Sequence, residues 1–420
     1  MVELNWLLFC FLFLYVGQSV FNIWVERINL NHSQRRADKA PTGFEGFIDE
    51  SKLAGTTRYI QAKTKVGVLD EIVSDVTLLA ILLSGLLPLL VRWSEKLGLS
   101  MIAAGLLFFF VPGLIHFLIE LPFSYYNTFV VEQEFGFNRS TLKLWTIDQI
   151  KGVLVTAVLF AAIFSILLLF IAWSPRFWWF WGFLLISAVQ LVLAILYPVV
   201  LAPLFNKFEP VSDEELAAKI RALMEKNGIR VKKILQMNAG IRSRHTNAYF
   251  TGIGKTKQIV LFDTLIQSHT HEEILAVLAH EAGHFRKKHV LKQLLIFASL
   301  SLAAFYATWL FIQWPLVFST FGFSAPLPYV GLFLAGVFSR KAGFFLQPLY
   351  MIISRRFERE ADIFAARMLG SGAALAGAMK RLAADNLANL YPHPLYVLFH
   401  YSHPPIVERV ALLEGSDGNP

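Results

Sequence analysis

The stretch VLAHEAGHFRKKH, Val277 to His289, contains His-Glu-x-x-His and runs straight into an apolar segment long enough to cross a bilayer. On a helix, residues four apart share a face, one turn above each other, so His280 and His284 can present two imidazole nitrogens to one ion. Glu281 points about 100° round the helix, toward a water at the metal rather than the metal itself. Zinc lowers the pKa of such a water, and a carboxylate placed there can take its proton. The pattern predicts one Zn2+ in a hydrolytic site at the edge of lipid.

Outward from this stretch the local signals agree. Thr270 followed by Glu273 is a capping-box signature for the start of the helix. Ala279, Ala282 and Gly283 are small and permit close packing. The basic RKKH at the end marks the membrane surface. Catalytic zinc needs a third protein ligand, and FEREAD offers Glu358, Glu360 and Asp362. Glu358 and Asp362 share a helix face, which suits a ligand and an acceptor for an imidazole N–H. Glu360 points elsewhere and reads as a solvated or structural charge. His269, His271 and His289 are competing donors, His289 reading as a cap or an interfacial residue.

Composition explains the lipid. Of 420 residues, 55% are hydrophobic and only 16% charged, against about 25% charged in a typical soluble protein. Seven apolar runs approach the roughly 20 residues a spanning helix needs: Leu4–Val25, Ile72–Val91, Met101–Pro122, Gly152–Trp173, Phe177–Leu201, Leu294–Gln313 and Tyr329–Ile353. The first lacks the basic start and small-residue cleavage site of a signal peptide. Lys and Arg collect in alternate loops, as they do on the cytoplasmic side. That places the loop 26–70, the segment 202–293 and the tail on one cytoplasmic face. The single cysteine, Cys10, excludes an intrachain disulfide and a cysteine-based zinc site. No nucleic-acid motif accompanies the net charge of +8.

The expected organisation is spans one to five over 1–201, a zinc-site segment over 202–293, spans six and seven over 294–353, and a helical segment over 354–420 that completes the site. Within 202–293, DEELAAKIRALMEKNG reads as an amphipathic helix, and IRVKKILQM, NAYFTGIG and KQIVLFD as short strands. Asp75, His116, Glu120, Gln190, Arg340, Lys341 and Gln347 interrupt the spans; such groups face a partner or a water-filled cavity.

Six segments taken in order, LPFSYYNTFVVEQEFGFN, YPVVLAPLFNKF, NAYFTG, HEAGH, SRRFEREADIFA and YSHPPIVERV, closely resemble the type I CAAX prenyl proteases over nearly the whole chain. That resemblance implies a mostly α fold: a barrel of seven transmembrane helices around a large hydrated chamber, capped by a zincin-like metalloprotease domain with a few short strands. It implies Glu358 as the third zinc ligand and Asp362 as its supporting acceptor. It implies Asn247 and Ala248 as substrate-backbone contacts on an edge strand, and His403 and Arg409 as donors to the substrate carbonyl and its developing oxyanion. The implied substrate is a peptide, prenylated at Cys-a-a-X or otherwise membrane-anchored, met among membrane lipids. The tail EGSDGNP shows no endoplasmic-reticulum retrieval signal, which favours a bacterial inner membrane over the endoplasmic reticulum. Two rival readings stand beside it. One is a quality-control metalloprotease for membrane proteins. The other is a non-catalytic scaffold that keeps zinc for stability, against which Glu281 argues.

Overall fold

The structure, a computed structural model, describes residues 2–37, 39–251 and 257–415. Two parts of the reading above, the GIG that ends NAYFTGIG and the last residues of the tail, lie outside them.

The chain is mostly helical, with one small sheet. Five helices are long and apolar enough to cross a membrane: Trp6–Arg35, Met101–Glu134, Leu142–Trp173, Trp178–Phe205 and His289–Ile312. Counting each of two bent pairs as one span gives seven. Large apolar side chains such as Leu154, Val158, Leu191, Leu295 and Leu300 are exposed on these helices. Such faces suit contact with lipid, which a helix tolerates because its backbone groups are already paired internally. A core of Phe11, Tyr15, Phe108, Leu168 and Phe321 holds the bundle together.

Two of the expected spans are bent pairs. The run Ile72–Val91 is divided: helix Glu50–Leu83 turns by 52° into Leu86–Lys96. Gly85 takes a left-handed conformation at the break (φ 82°), which glycine adopts at little cost. The run Tyr329–Ile353 is divided as well, with Pro328–Phe344 turning by 58° into Gln347–Leu369. Pro348 sits in the first turn of the second helix, where a missing amide hydrogen costs nothing. This second helix carries the end of the apolar run and the FEREAD acids on one rigid rod. The expected divisions at 293/294 and 353/354 therefore fall inside helices. The supposed loop 26–70 is largely helical too, because the first span continues to Arg35 and the next helix starts at Glu50, capped by Asp49.

The sheet has the order β1-β2-β4-β3, with β1 at Phe208–Pro210, β2 at Lys233–Met237, β3 at Ala248–Thr251 and β4 at Gln258–Phe262. β2 and β4 run parallel, the other pairs antiparallel. β1 gave no signal in the sequence, being short and closed by Pro210. The helix His271–Arg286 carries the motif and has both halves of the expected capping box. It is gripped from two sides. Ile274, Leu278 and Ala282 pack into a core with Leu216 and Ile220 of helix Glu214–Lys226 and Ile259 and Leu261 of β4. Ala276 and Ala279 pack into another with Ala365, Leu375 and Met379 of the tail. The motif is thus clamped between the sheet and the last helices, at the foot of the sixth span.

Candidate metal centre and active site

Helix His271–Arg286 lies along helix Gln347–Leu369, and Gly283 permits the approach: a Cβ there would stand 2.9 Å from Ala361 Cα. That contact brings the two halves of the site together. Among the described residues, the donor atoms of His280, His284 and Glu358 lie within 4.8 Å of one another. His280 Nε2 is 3.1 Å from His284 Nε2 and 3.3 Å from Glu358 Oε2. His284 Nε2 is 3.2 Å from Glu358 Oε1. Donors about 2.0–2.1 Å from a tetrahedral ion stand roughly 3.3–3.4 Å apart, so the spacing fits zinc.

The hydrogen bonds around the cluster also fit a cation. Asp362 Oδ1 lies 2.8 Å from His280 Nδ1, an arrangement in which Nδ1–H donates and Nε2 is left as a bare lone pair. Two such lone pairs 3.1 Å apart repel unless a positive charge joins them. Glu358 Oε2 is buried between His280 Nε2 at 3.3 Å and Arg409 Nη2 at 3.6 Å, so an anionic oxygen faces the point where the two imidazoles converge. Burial alone would depress the His280 imidazole, but hydrogen bonds to Asp362 and Glu358 outweigh it and raise its pKa to about 9.

Glu281 is not one of the three donors. Burial pushes its carboxyl above the usual range, although the imidazoles of His280 and His284 oppose the shift. A raised carboxyl is a better proton acceptor than an ordinary glutamate. His403, on the turn after helix Pro394–His400, reaches the cluster with Nε2 3.4 Å from Glu358 Oε1. The turn is held by Arg355, which donates to the carbonyls of Val397 and Tyr401 at 2.8 and 2.7 Å. Arg409 binds Asp362 through Nε and Nη2 at 2.8 and 2.7 Å, and its Nη2 stands 3.6 Å from Glu358 Oε2. Two of its nitrogens are therefore engaged with Asp362. Asn247 is exposed just before β3, and Ala248 begins that strand. Among the described residues β3 pairs with β4 alone and is an edge strand, and the Asn247 side chain accepts from the Ala248 amide at 2.8 Å.

The reading of His289 needs correction. His289 is neither a cap nor interfacial: it is 1% exposed, and its Nδ1 lies 3.0 Å from His284 Nδ1. Glu360 takes the structural of its two expected roles, with Oε2 3.2 Å from His289 Nε2. The role of Arg355, one of two adjacent arginines before an acidic run, gives no sequence signal. His269 and His271 stay away from the cluster, His269 against Ser268 and His271 against Asp213.

Residues 29–207 match the CAAX prenyl protease N-terminal family model, described by five membrane helices, and residues 210–417 match peptidase family M48. The CAAX prenyl protease 1 homolog of Oryza sativa subsp. japonica is 34% identical over 404 residues, covering 92% of this chain and 94% of that protein. This chain belongs to that family. It is a multi-pass membrane metalloprotease. CAAX prenyl protease 1 of Saccharomyces cerevisiae is 33% identical over 90% of this chain and 88% of its own length. The crystal structure of S. mikatae Ste24p has the same fold, with a TM-score of 0.90 at 29% identity over 96% of this chain and 97% of that one.

Proposed function

We propose that this metalloprotease removes the last three residues of prenylated Cys-a-a-X peptides, or cuts related membrane-associated peptides, at a zinc ion held by His280, His284 and Glu358. One observation carries the site assignment: three donors from two helices converge at zinc spacing, with Glu281 beside them. The substrate class is that printed for the relatives of Oryza and Saccharomyces.

Zinc held there supplies Lewis acidity toward water and the scissile carbonyl. Glu281 accepts the proton of the attacking water and returns it to the leaving amine. Asp362 holds His280 in the tautomer that keeps Nε2 free, and Arg409 in turn holds Asp362. His403, an exposed side chain with Nε2 3.4 Å from Glu358 Oε1, is placed to donate to the substrate carbonyl. An extended peptide added to the free edge of β3, beginning at Asn247 and Ala248, would run alongside the motif helix.

A polar cavity of about 640 Å³ among the spans, bordered by Asn22, Asp70, Glu71, Glu120, Arg340 and His400, supports a hydrated interior. His400 also borders a second cavity with His403 and Arg409. We read these spaces as parts of one chamber leading to the zinc, enclosed by seven spans and capped by the sheet and its helices. The charge pattern supports a cytoplasmic active site. Mass spectrometry of products from a farnesylated Cys-a-a-X peptide and its unprenylated twin tests the substrate. Release of an intact tripeptide from the farnesylated peptide alone is expected. Equal cutting of both, or of an unfolded membrane protein in preference, would favour the quality-control role.

A further inference from the structure

His289 begins the sixth span, a helix whose other residues are not buried, yet it is itself 1% exposed. Lys288 adopts a left-handed conformation (φ 56°) that ends the motif helix and starts the next one at His289. The His289 ring lies flat on Phe357, with centroids 4.4 Å apart and planes 8° apart. Its Nδ1 faces His284 Nδ1 at 3.0 Å and its Nε2 faces Glu360 Oε2 at 3.2 Å. Glu360 also accepts from Arg356 Nε at 3.3 Å and has Lys292 Nζ at 3.9 Å, so cations surround it.

Two ring nitrogens 3.0 Å apart need one proton between them, and its owner matters. A carboxylate can only accept, so Glu360 requires the proton of His289 on Nε2. His289 Nδ1 is then a bare acceptor, and His284 must donate from Nδ1. That leaves the His284 Nε2 lone pair aimed at the cluster. The opposite tautomers would set a bare nitrogen against Glu360 and a proton on His284 Nε2, where a metal needs a lone pair. Asp362 makes the same choice for His280 directly; Glu360 makes it for His284 through an intervening ring.

We propose that Glu360 and His289 are positioning residues that set the tautomer of His284 and hold it as a metal donor. The inference rests on the reading of His284 as a zinc ligand. Partners of this kind are worth about 10–100-fold in metal affinity.

The test measures zinc affinity of the full-length protein in detergent by chelator competition, together with the visible spectrum of the cobalt(II) form. His289→Asn keeps an acceptor near the position of Nδ1 but loses the stack on Phe357. His289→Phe keeps the stack but cannot accept. Tautomer control predicts that His289→Phe weakens zinc by about 10–100-fold and alters the cobalt bands, while His289→Asn stays closer to the wild type. Glu360→Ala, at a partly solvent-exposed carboxylate that tolerates truncation, is expected to weaken zinc about 10-fold. If His289→Phe does not fold, Glu360→Ala decides alone. Wild-type affinity and spectrum in Glu360→Ala, or a His289→Phe that outbinds His289→Asn, would overturn the proposal in favour of simple packing. His284→Ala serves as the control. If it retained zinc at wild-type affinity, the ligand assignment itself would fail, whereas loss there with no effect at Glu360 and His289 would sink only this inference.

Discussion

Gly283 and Ala361 meet so closely that a β-carbon on the glycine would stand 2.9 Å from Ala361 Cα and 3.0 Å from its carbonyl oxygen. Both neighbours are backbone atoms in the middle of a helix and cannot swing aside. The contact fixes how far His284 lies from Glu358, since each is within three residues of it along its own helix. Gly283→Ala is therefore expected to force the helices apart, at a cost of about 1–3 kcal/mol. Zinc retained through gel filtration should fall with thermal stability. Ala282→Gly, one residue away and buried against the sheet layer, should lower stability while leaving the zinc stoichiometry intact.

Zinc uptake should depend on pH because the raised pKa of His280 favours its protonated form, with which a metal must compete. Its pKa is raised to about 9 by Asp362 and Glu358 against the pull of burial. The sign follows directly. The stability this gives the metal-free protein is fully present below the unfolded histidine value of about 6.5 and is lost as pH rises through about 9. Zinc must displace the same proton, so its apparent affinity should climb about tenfold per pH unit between roughly pH 7 and 9 and then level off. Asp362→Asn, which removes an anion that raises the pKa, should flatten the slope. Chelator competition across this range, with proton release followed by indicator, checks both points; a flat profile in the wild type would count against the assignment.

Among the membrane helices, Lys341 is 3% exposed and donates to Gln18, Ser19 and Asp75. Lys341→Met leaves Asp75 without its counter-charge in a buried place, a change that costs about 3–5 kcal/mol. Replacing both partners by apolar residues, Lys341→Met with Asp75→Leu, should recover most of that loss. Thermal unfolding in detergent of the wild type, the two single variants and the double variant measures the coupling. A single variant as stable as the wild type would show that the pair is not what joins these helices.

Much of this architecture was legible because it follows from short-range rules. The capping box at Thr270 and Glu273, the four-residue spacing of His280 and His284, and the apolar runs each need only their neighbours. The acids of FEREAD could be ranked by helix face alone, and Glu358 and Asp362 do face the cluster. What could not be seen depends on direction in space. Hydropathy does not distinguish a straight span from one bent at Gly85 or before Pro348. His289 looked interfacial because it follows three basic residues, and only the left-handed turn at Lys288 brings it back to His284. Glu360, on another helix face from Glu358, reads as a solvated or structural charge, and only the structure reveals its partner on the next span.

In the proposed mechanism Glu281 moves protons for a hydrolysis whose metal it does not bind. Glu281→Gln tests it most directly, by zinc content and product formation measured on one purified sample with a farnesylated Cys-a-a-X peptide. The account predicts about one zinc per chain, as in the wild type, and cleavage reduced by about 100-fold or more. A variant that keeps its zinc and still cuts at the wild-type rate would contradict it.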